Sequence, residues 1–305
     1  MNATDLTQFV MGHHTLDQYC HVLIDPTAVS SRSDHAVLEG LRQGLGAKAL
    51  TPIHRTDLAH APEAHPILAC LASPGEPLPE SLVTLTARAS LRDVQRPGRL
   101  VCGWLFSDTP AAALAEHIMS LCEVSTTGMQ TCFYPVFEPV RLELLAAAYE
   151  HAEQMPWWPI HRWLFLTSGG LAVHMIGEPY AQKPIPVAAG EMQAEAPLVQ
   201  AMLSAWRALL PQTDGRPTLP AVAAVLAYEE IVQARRQGLS EPADIIALAL
   251  HQRCLHPQLH TYPALRTLID KAVHAQIPLT QTLAEYTEAN WRYVLANLPQ
   301  SGVRP

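Results

Sequence analysis

The stretch 99-RLVCGWLFSDTPAAALAEHIMSL-121 changes period at its middle. Residues 99–106 are an apolar run of strand length, rich in Val, Trp and Phe, and read as a buried strand. Thr109-Pro110 then opens a helix, with a threonine cap ahead of a proline in the first turn. Leu114, Ile118 and Leu121 recur at helical spacing and make one apolar face. A strand feeding an amphipathic helix is the repeating unit of an α/β layer.

The same alternation continues outward. Upstream, QYCHVLID (18–25), KALTPI (48–53) and PILACLA (66–72) read as strands. Between the first two, Ser33 is a candidate cap for a helix carrying Val37, Leu38, Leu41 and Leu45. Residues 79–94 also read as helical. Downstream, MQTCFYPVF (129–137) reads as a strand, followed by a helix that opens at Glu138-Pro139. Leu142, Leu145 and Tyr149 supply its face. A carboxylate at a helix start suits the helix dipole by about 0.3–1 kcal/mol, so Glu138 is expected to start this helix. RWLFLTSGGLAVHMI (162–176) reads as two strands joined at Ser168-Gly169-Gly170.

Beyond residue 176 the pattern changes. Pro179, Pro184, Pro186 and Pro197 predict a linker over 177–197. Helical patterns follow at 197–210, 218–237, 241–254, 261–275 and 280–298, with Thr218, Ser240, Thr261 and Thr280 as candidate caps. The expected fold is α+β in class. An N-terminal α/β lobe with a mixed sheet spans 1–176, the linker 177–197 and an all-helical lobe 198–305.

Composition narrows the function. Of 305 residues, 49% are hydrophobic and 16% charged, and 20 Lys and Arg against 28 Asp and Glu give a net charge of −8. Without a basic run, nucleic acid is not an expected partner. The N-terminus lacks the charged and apolar regions of a signal peptide. No apolar run reaches membrane-spanning length, so no membrane insertion is expected and the expected location is the cytoplasm. Six scattered cysteines without CxxC spacing read as reduced thiols.

No motif demands chemistry. GLGAK (44–48) lacks the glycine and hydroxyl of a phosphate loop. His251 and His256 would point about 140° apart on a helix, and there is no HExxH and no GxSxG. Cys20 and His21 are neighbours in a strand and point to opposite faces. Asp25 stands at a strand end, a common catalytic position, but Asp25-Pro26 is also an ordinary turn starter. No metal and no cofactor are expected.

The order of features carries a resemblance. A strand ending in Asp25, a Ser107-bearing strand feeding a helix with His117, then Phe137-Glu138-Pro139 and Pro159-Ile160 occur in succession. This resembles the effector chaperone (adaptor) family of bacterial type VI secretion systems, over about residues 18–175. Glu138 stands where that family usually has Asp, and Arg141 lies one residue later than the family's Arg. The resemblance implies a non-catalytic protein. It would bind a secreted toxic effector, near the effector's N-terminus, and help load it onto a VgrG-type spike protein. Binding proteins favour Trp, Tyr and Arg as anchors. MPWWPIHRWLFL (155–166) is therefore the expected docking segment, through Trp157, Trp158 and Trp163, with Arg141 and Tyr149 beside them. The alternative is a hydrolase in which Asp25, Ser107 and a histidine converge.

Overall fold

The computed structural model describes residues 1–125, 131–149, 157–179, 187–210 and 218–299. The chain forms two compact units. Residues 1–196 and 218–223 belong to the first, and the described part of the second lies in 197–210 and 224–299.

The first unit opens with α1 (Ala3–Met11), an element the sequence reading did not assign. A reciprocal box starts it: Asp5 N–H donates to the Asn2 side chain, and the Asp5 carboxylate accepts from Asn2 N–H, both at 3.0 Å. The strands are β1 (Tyr19–Ile24), β2 (Leu50–Pro52), β3 (Ile67–Ala72), β4 (Val101–Ser107), β5 (Glu123–Ser125), β6 (Thr131–Phe133), β7 (Ile160–Leu166) and β8 (Ala172–Ile176). Six of them make one sheet in the order β2-β3-β1-β4-β7-β8, while β5 and β6 pair separately.

All the described pairings are antiparallel, which corrects the expected mixed sheet. The helical crossovers that suggested parallel neighbours do exist. However, β1 and β2 run parallel with β3 between them, and β3 and β4 run parallel with β1 between them. Each crossover skips a position, and an antiparallel strand fills it.

Both faces of the sheet are covered, so the strands are apolar throughout. On one face Val22, Ile24, Trp104, Phe106 and Leu164 pack with Leu6 and Val10 of α1. Val37 and Leu41 of α2 (Arg32–Leu45) and Val83 and Ala87 of α3 (Glu80–Asp93) complete that layer. On the other face Leu23, Leu105, Trp163 and Phe165 meet α4 (Ala111–Leu121) and α5 (Pro139–Ala148) through Leu114, Ile118, Leu142 and Leu145. Gly103 has φ +151°, and a Cβ there would stand 2.4 Å from the Leu164 carbonyl and 2.8 Å from Trp163 Nε1. Only glycine lets Trp163 lie this close to β4.

Two buried carboxylates fasten the layers. Asp34 caps α2, where Ser31 and not Ser33 is the cap residue, and takes the guanidinium groups of Arg92 and Arg96 from α3 and beyond. Glu143 on α5 accepts from Ser168 N–H at 2.7 Å and from its hydroxyl at 3.1 Å, holding the β7–β8 turn.

The expected linker is corrected over its second half. α6 (Val187–Leu209) is a single helix with Pro197 inside it. A proline lacks the N–H that the carbonyl four residues earlier would accept. That carbonyl belongs to Gln193, and Arg141 Nη1 donates to it at 2.8 Å. The Gln193 side chain returns a bond to the Arg141 carbonyl at 2.9 Å. A side chain thus supplies what Pro197 withholds. Residues 180–186 lie outside the described residues.

The second unit is helical in its described part, with α7 (Ala223–Arg236) entering it at Ala224, then α8 (Pro242–Cys254), α9 (Pro263–Val273), α10 (Leu279–Ala284) and α11 (Glu288–Ala296). The predicted helix over 280–298 is two helices, because Thr287 caps a new start with Asn290. Thr218, Ser240, Thr261 and Thr280 are not the caps; Glu241, Tyr262 and Pro278 stand at three of the helix starts instead. Asp244 accepts from Thr280 N–H at 2.9 Å and from its hydroxyl at 3.0 Å, so Thr280 ties α10 to α8. Trp206 is buried beneath the Arg253 guanidinium, 5.2 Å from its ring centre. Trp291 stacks on His251 at 4.9 Å. Among the described residues no helix is long and apolar enough to cross a membrane.

Candidate functional site

The motif residues of the first unit gather at two ends of the sheet. Asp25 follows the last residue of β1, and its N–H donates to the Leu100 carbonyl at 2.8 Å, just before β4 begins. Ser107 ends β4 and lies opposite Tyr19, at the other end of β1. Six residues of strand separate the two ends, or roughly 20 Å.

At the first end Asp25, Arg55, Glu138 and Arg141 form a charged cluster. Asp25 Oδ1 accepts from Thr27 N–H at 3.0 Å and from its hydroxyl at 2.6 Å, which closes the turn Pro26–Ala28. Among the described residues its Oδ2 accepts no hydrogen bond. Arg55, in the loop after β2, grips Asp57 through Nε at 3.2 Å and Nη2 at 2.7 Å. Its guanidinium lies 5.2 Å from the Phe133 ring centre, and its N–H donates to His65 Nδ1 at 3.1 Å. Glu138 precedes Pro139, the first residue of α5, and accepts from Arg141 Nε at 3.2 Å. Arg141 in turn lies over Tyr134 at 5.5 Å.

Burial sets the electrostatics. The Asp25 side chain is raised above its ordinary value by desolvation, against the pull of the Thr27 donors and Arg55. Glu138 is raised by desolvation and by the charge of Asp25, against Arg141 and Arg55. Arg55 is desolvated too, but Asp57, Asp25 and Glu138 hold its proton more tightly than usual. Two thiols lie within reach of these charges. Burial, with Asp25 and Glu138 behind it, pushes Cys102 well up, and burial pushes Cys122 up to about 12. Both stay protonated, so neither supplies a thiolate.

At the second end Ser107 Oγ donates to the Pro159 carbonyl at 2.7 Å and accepts from Thr109 N–H at 3.0 Å. His117 lies beside the Trp157 main chain, and burial lowers its pKa. Neither hydrogen bond of Ser107 joins it to an Asp or a His. The hydrolase built on Asp25, Ser107 and a histidine is therefore corrected: the two side chains stand at opposite ends of the sheet.

The expected anchors are also corrected in part. Trp157 and Trp163 are fully buried, edge-to-face at 6.2 Å, and Tyr149 packs edge-to-face on Trp157 at 5.9 Å. The aromatic run folds inward because β7 is a central strand, and Trp163 falls on its inner alternation. Arg141 is engaged with Glu138 and Gln193, its side chain only 11% exposed. Trp158 is half-buried, with its ring edge-on to His161 at 4.8 Å. Phe137 and Pro139 are buried. The sequence reading does not include Arg55 and Asp57, whose only signal is an Arg-x-Asp spacing in a loop.

The second unit carries a groove of about 1190 Å³, lined among others by Trp206, Glu229, Arg236, Arg253 and His260. Among the described residues no three His, Cys, Asp or Glu side chains come together as a metal site would need. Comparison with protein-family models, with curated proteins and with solved structures finds no match.

Proposed function

We propose that this chain is a non-catalytic adaptor that binds a toxic effector in the cytoplasm and helps load it onto the VgrG-type spike of a type VI secretion system. The reading rests on the ordered motifs of the sequence. One observation supports it most: the motifs serve as framework. Asp25, Phe137, Glu138 and Pro139 meet at one end of the sheet, while Ser107, His117 and Pro159-Ile160 meet at the other. α5 runs from the first group to the second. The hydroxyl and the thiols beside them are hydrogen-bonded or held protonated, which suits recognition better than nucleophilic chemistry. The Asp25–Glu138 cluster opens outward through Glu138 and Asp57, whose side chains are 29% and 50% exposed. An open acceptor on Asp25 suits a donor from the effector, such as an arginine or a main-chain N–H.

Co-expression with a neighbouring toxin gene, affinity capture and mass measurement test the reading. A complex with the toxin that survives gel filtration is expected. Glu138→Ala, folded by circular dichroism, is expected to weaken it at least tenfold. A toxin that never co-elutes refutes the function, and full-strength capture by Glu138→Ala refutes this face as the contact.

A further inference from the structure

β8 is the last strand of the six-stranded sheet, and among the described residues no strand pairs with its outer edge. The pairing with β7 fixes which groups these are. Thr167 N–H donates to the Leu171 carbonyl at 2.9 Å, and Gly177 N–H to the His161 carbonyl at 3.0 Å. Bonded and non-bonded positions alternate along an antiparallel pair. Leu171, Val173, Met175 and Gly177 therefore turn their main chain toward β7, while Ala172, His174 and Ile176 turn theirs outward. Among the described residues no hydrogen bond reaches those three outward N–H and three outward C=O groups.

Natural edges are blunted by lysines, prolines, bulges or a covering element. The stretch 171-LAVHMIG-177 has no Lys, Arg, Asp, Glu or Pro. The β7–β8 register is regular, without a bulge. Leu171 and Ile176 at its two ends are 51% and 50% exposed. This edge accepts a strand.

A second copy of β8 fits this edge in register. Two β8 strands laid antiparallel about His174 set Ala172 opposite Ile176 of the second copy, His174 opposite its counterpart, and Ile176 opposite Ala172. Every outward group of both strands then falls on a bonded position at once, and a two-fold axis closes the pair. The small Ala172 leaves room for the branched Ile176 across the join. We propose that β8 pairs edge to edge with β8 of a second copy of this chain, making one continuous antiparallel sheet across the two-fold axis. A five-residue edge is a small contact, so the dimer is weak.

Analytical ultracentrifugation of the full chain over a ~100-fold concentration range reaching ~200 µM tests the pairing. The wild type is expected to shift from monomer to dimer mass. Ile176→Lys adds a charge at the edge, and His174→Pro deletes an outward N–H that β7 never uses. Each is expected to weaken the dimer at least tenfold and to leave the far-ultraviolet circular dichroism unchanged. Independently of how these variants fold, His174→Cys sets two thiols on main chains about 5.5 Å apart, within disulfide reach. Because Cys254 is exposed, this is done in a Cys254→Ser background; under mild oxidation His174→Cys is expected to cross-link into a covalent dimer that the background alone does not form. A monomer at all concentrations with no such cross-link overturns the proposal. So does a dimer that ignores both edge variants and lacks the cross-link, because another surface then makes it. A monomer that binds a synthetic LAVHMIG peptide but never itself also overturns it, in favour of a strand from a different protein.

Discussion

Replacing Arg141 by alanine tests whether a side chain substitutes for the main-chain donor that Pro197 lacks. The Gln193 carbonyl belongs to a fully buried residue and accepts from Arg141 Nη1 at 2.8 Å. A hydrogen bond from a charged donor contributes about 1.5–3 kcal/mol, and a buried acceptor left unpaired costs a similar amount. The ion pair with Glu138 and the stacking on Tyr134 add about 1 kcal/mol, discounted for the partial exposure of Glu138. Arg141→Ala is therefore expected to cost about 3 kcal/mol, a large share of the ~5–15 kcal/mol that stabilises a typical protein. Pro197→Ala returns an N–H to the same carbonyl. In that background Arg141→Ala should cost only about 1–2 kcal/mol. The four proteins form a double-mutant cycle, read by urea midpoints from circular dichroism and tryptophan fluorescence. A coupling of about 1–2 kcal/mol is expected. Costs that add within ~0.5 kcal/mol refute the substitution of one donor for the other.

The tryptophans and Asp25 give sharper contrasts. Trp157→Ala empties a buried site in contact with Tyr149 and Trp163, and should cost about 3–5 kcal/mol in denaturant titration, whereas Trp158→Ala should cost under ~1 kcal/mol. An unchanged midpoint for Trp157→Ala contradicts its place in the core. Asp25 binds its proton more tightly folded than unfolded, where its ordinary value is 3.8. Its ionisation thus disfavours the fold: the penalty is absent below pH ~3.8 and complete once pH has risen past the folded value. Asn keeps an acceptor for Thr27, so Asp25→Asn should melt higher than wild type at pH 7 and equal to it near pH 3. A lower melting point at pH 7 sinks this account.

Much of the first unit was legible because its strands are short apolar runs and its helices are amphipathic. Those signals report burial, which is why the strands were found and their direction was not. A strand covered on both faces reads the same in a parallel or an antiparallel sheet. α1 is legible as well, through Asn2-x-x-Asp5 and the spacing of Leu6 and Val10. Pro197 reads as a helix breaker because the donor that offsets it, Arg141, lies 56 positions earlier in the chain. The site was legible only in fragments. Asp25 and Glu138 were both singled out, but 113 residues separate them along the chain and only the fold brings their charges together. The run of three tryptophans looked like exposed anchors, because composition does not reveal which way a strand turns its side chains.

The order of the strands also governs how this chain must be made. Of the described strands β1 leaves the ribosome first, and it ends in the middle of the sheet. One neighbour arrives with residues 67–72, the other with residues 101–107, and the outer hairpin only with residues 160–176. At ordinary rates of synthesis the wait from β1 to β8 is on the order of ten seconds. Once residue 107 is made β1 has both neighbours, but β4 keeps one main-chain side open until β7 arrives, and the face that α4 and α5 cover stays bare until they are made. Nascent chains stalled before residue 160 should be strongly prone to aggregate, while those released past residue 176 should not. The double cover that makes the finished unit sturdy makes the growing one dependent on being held.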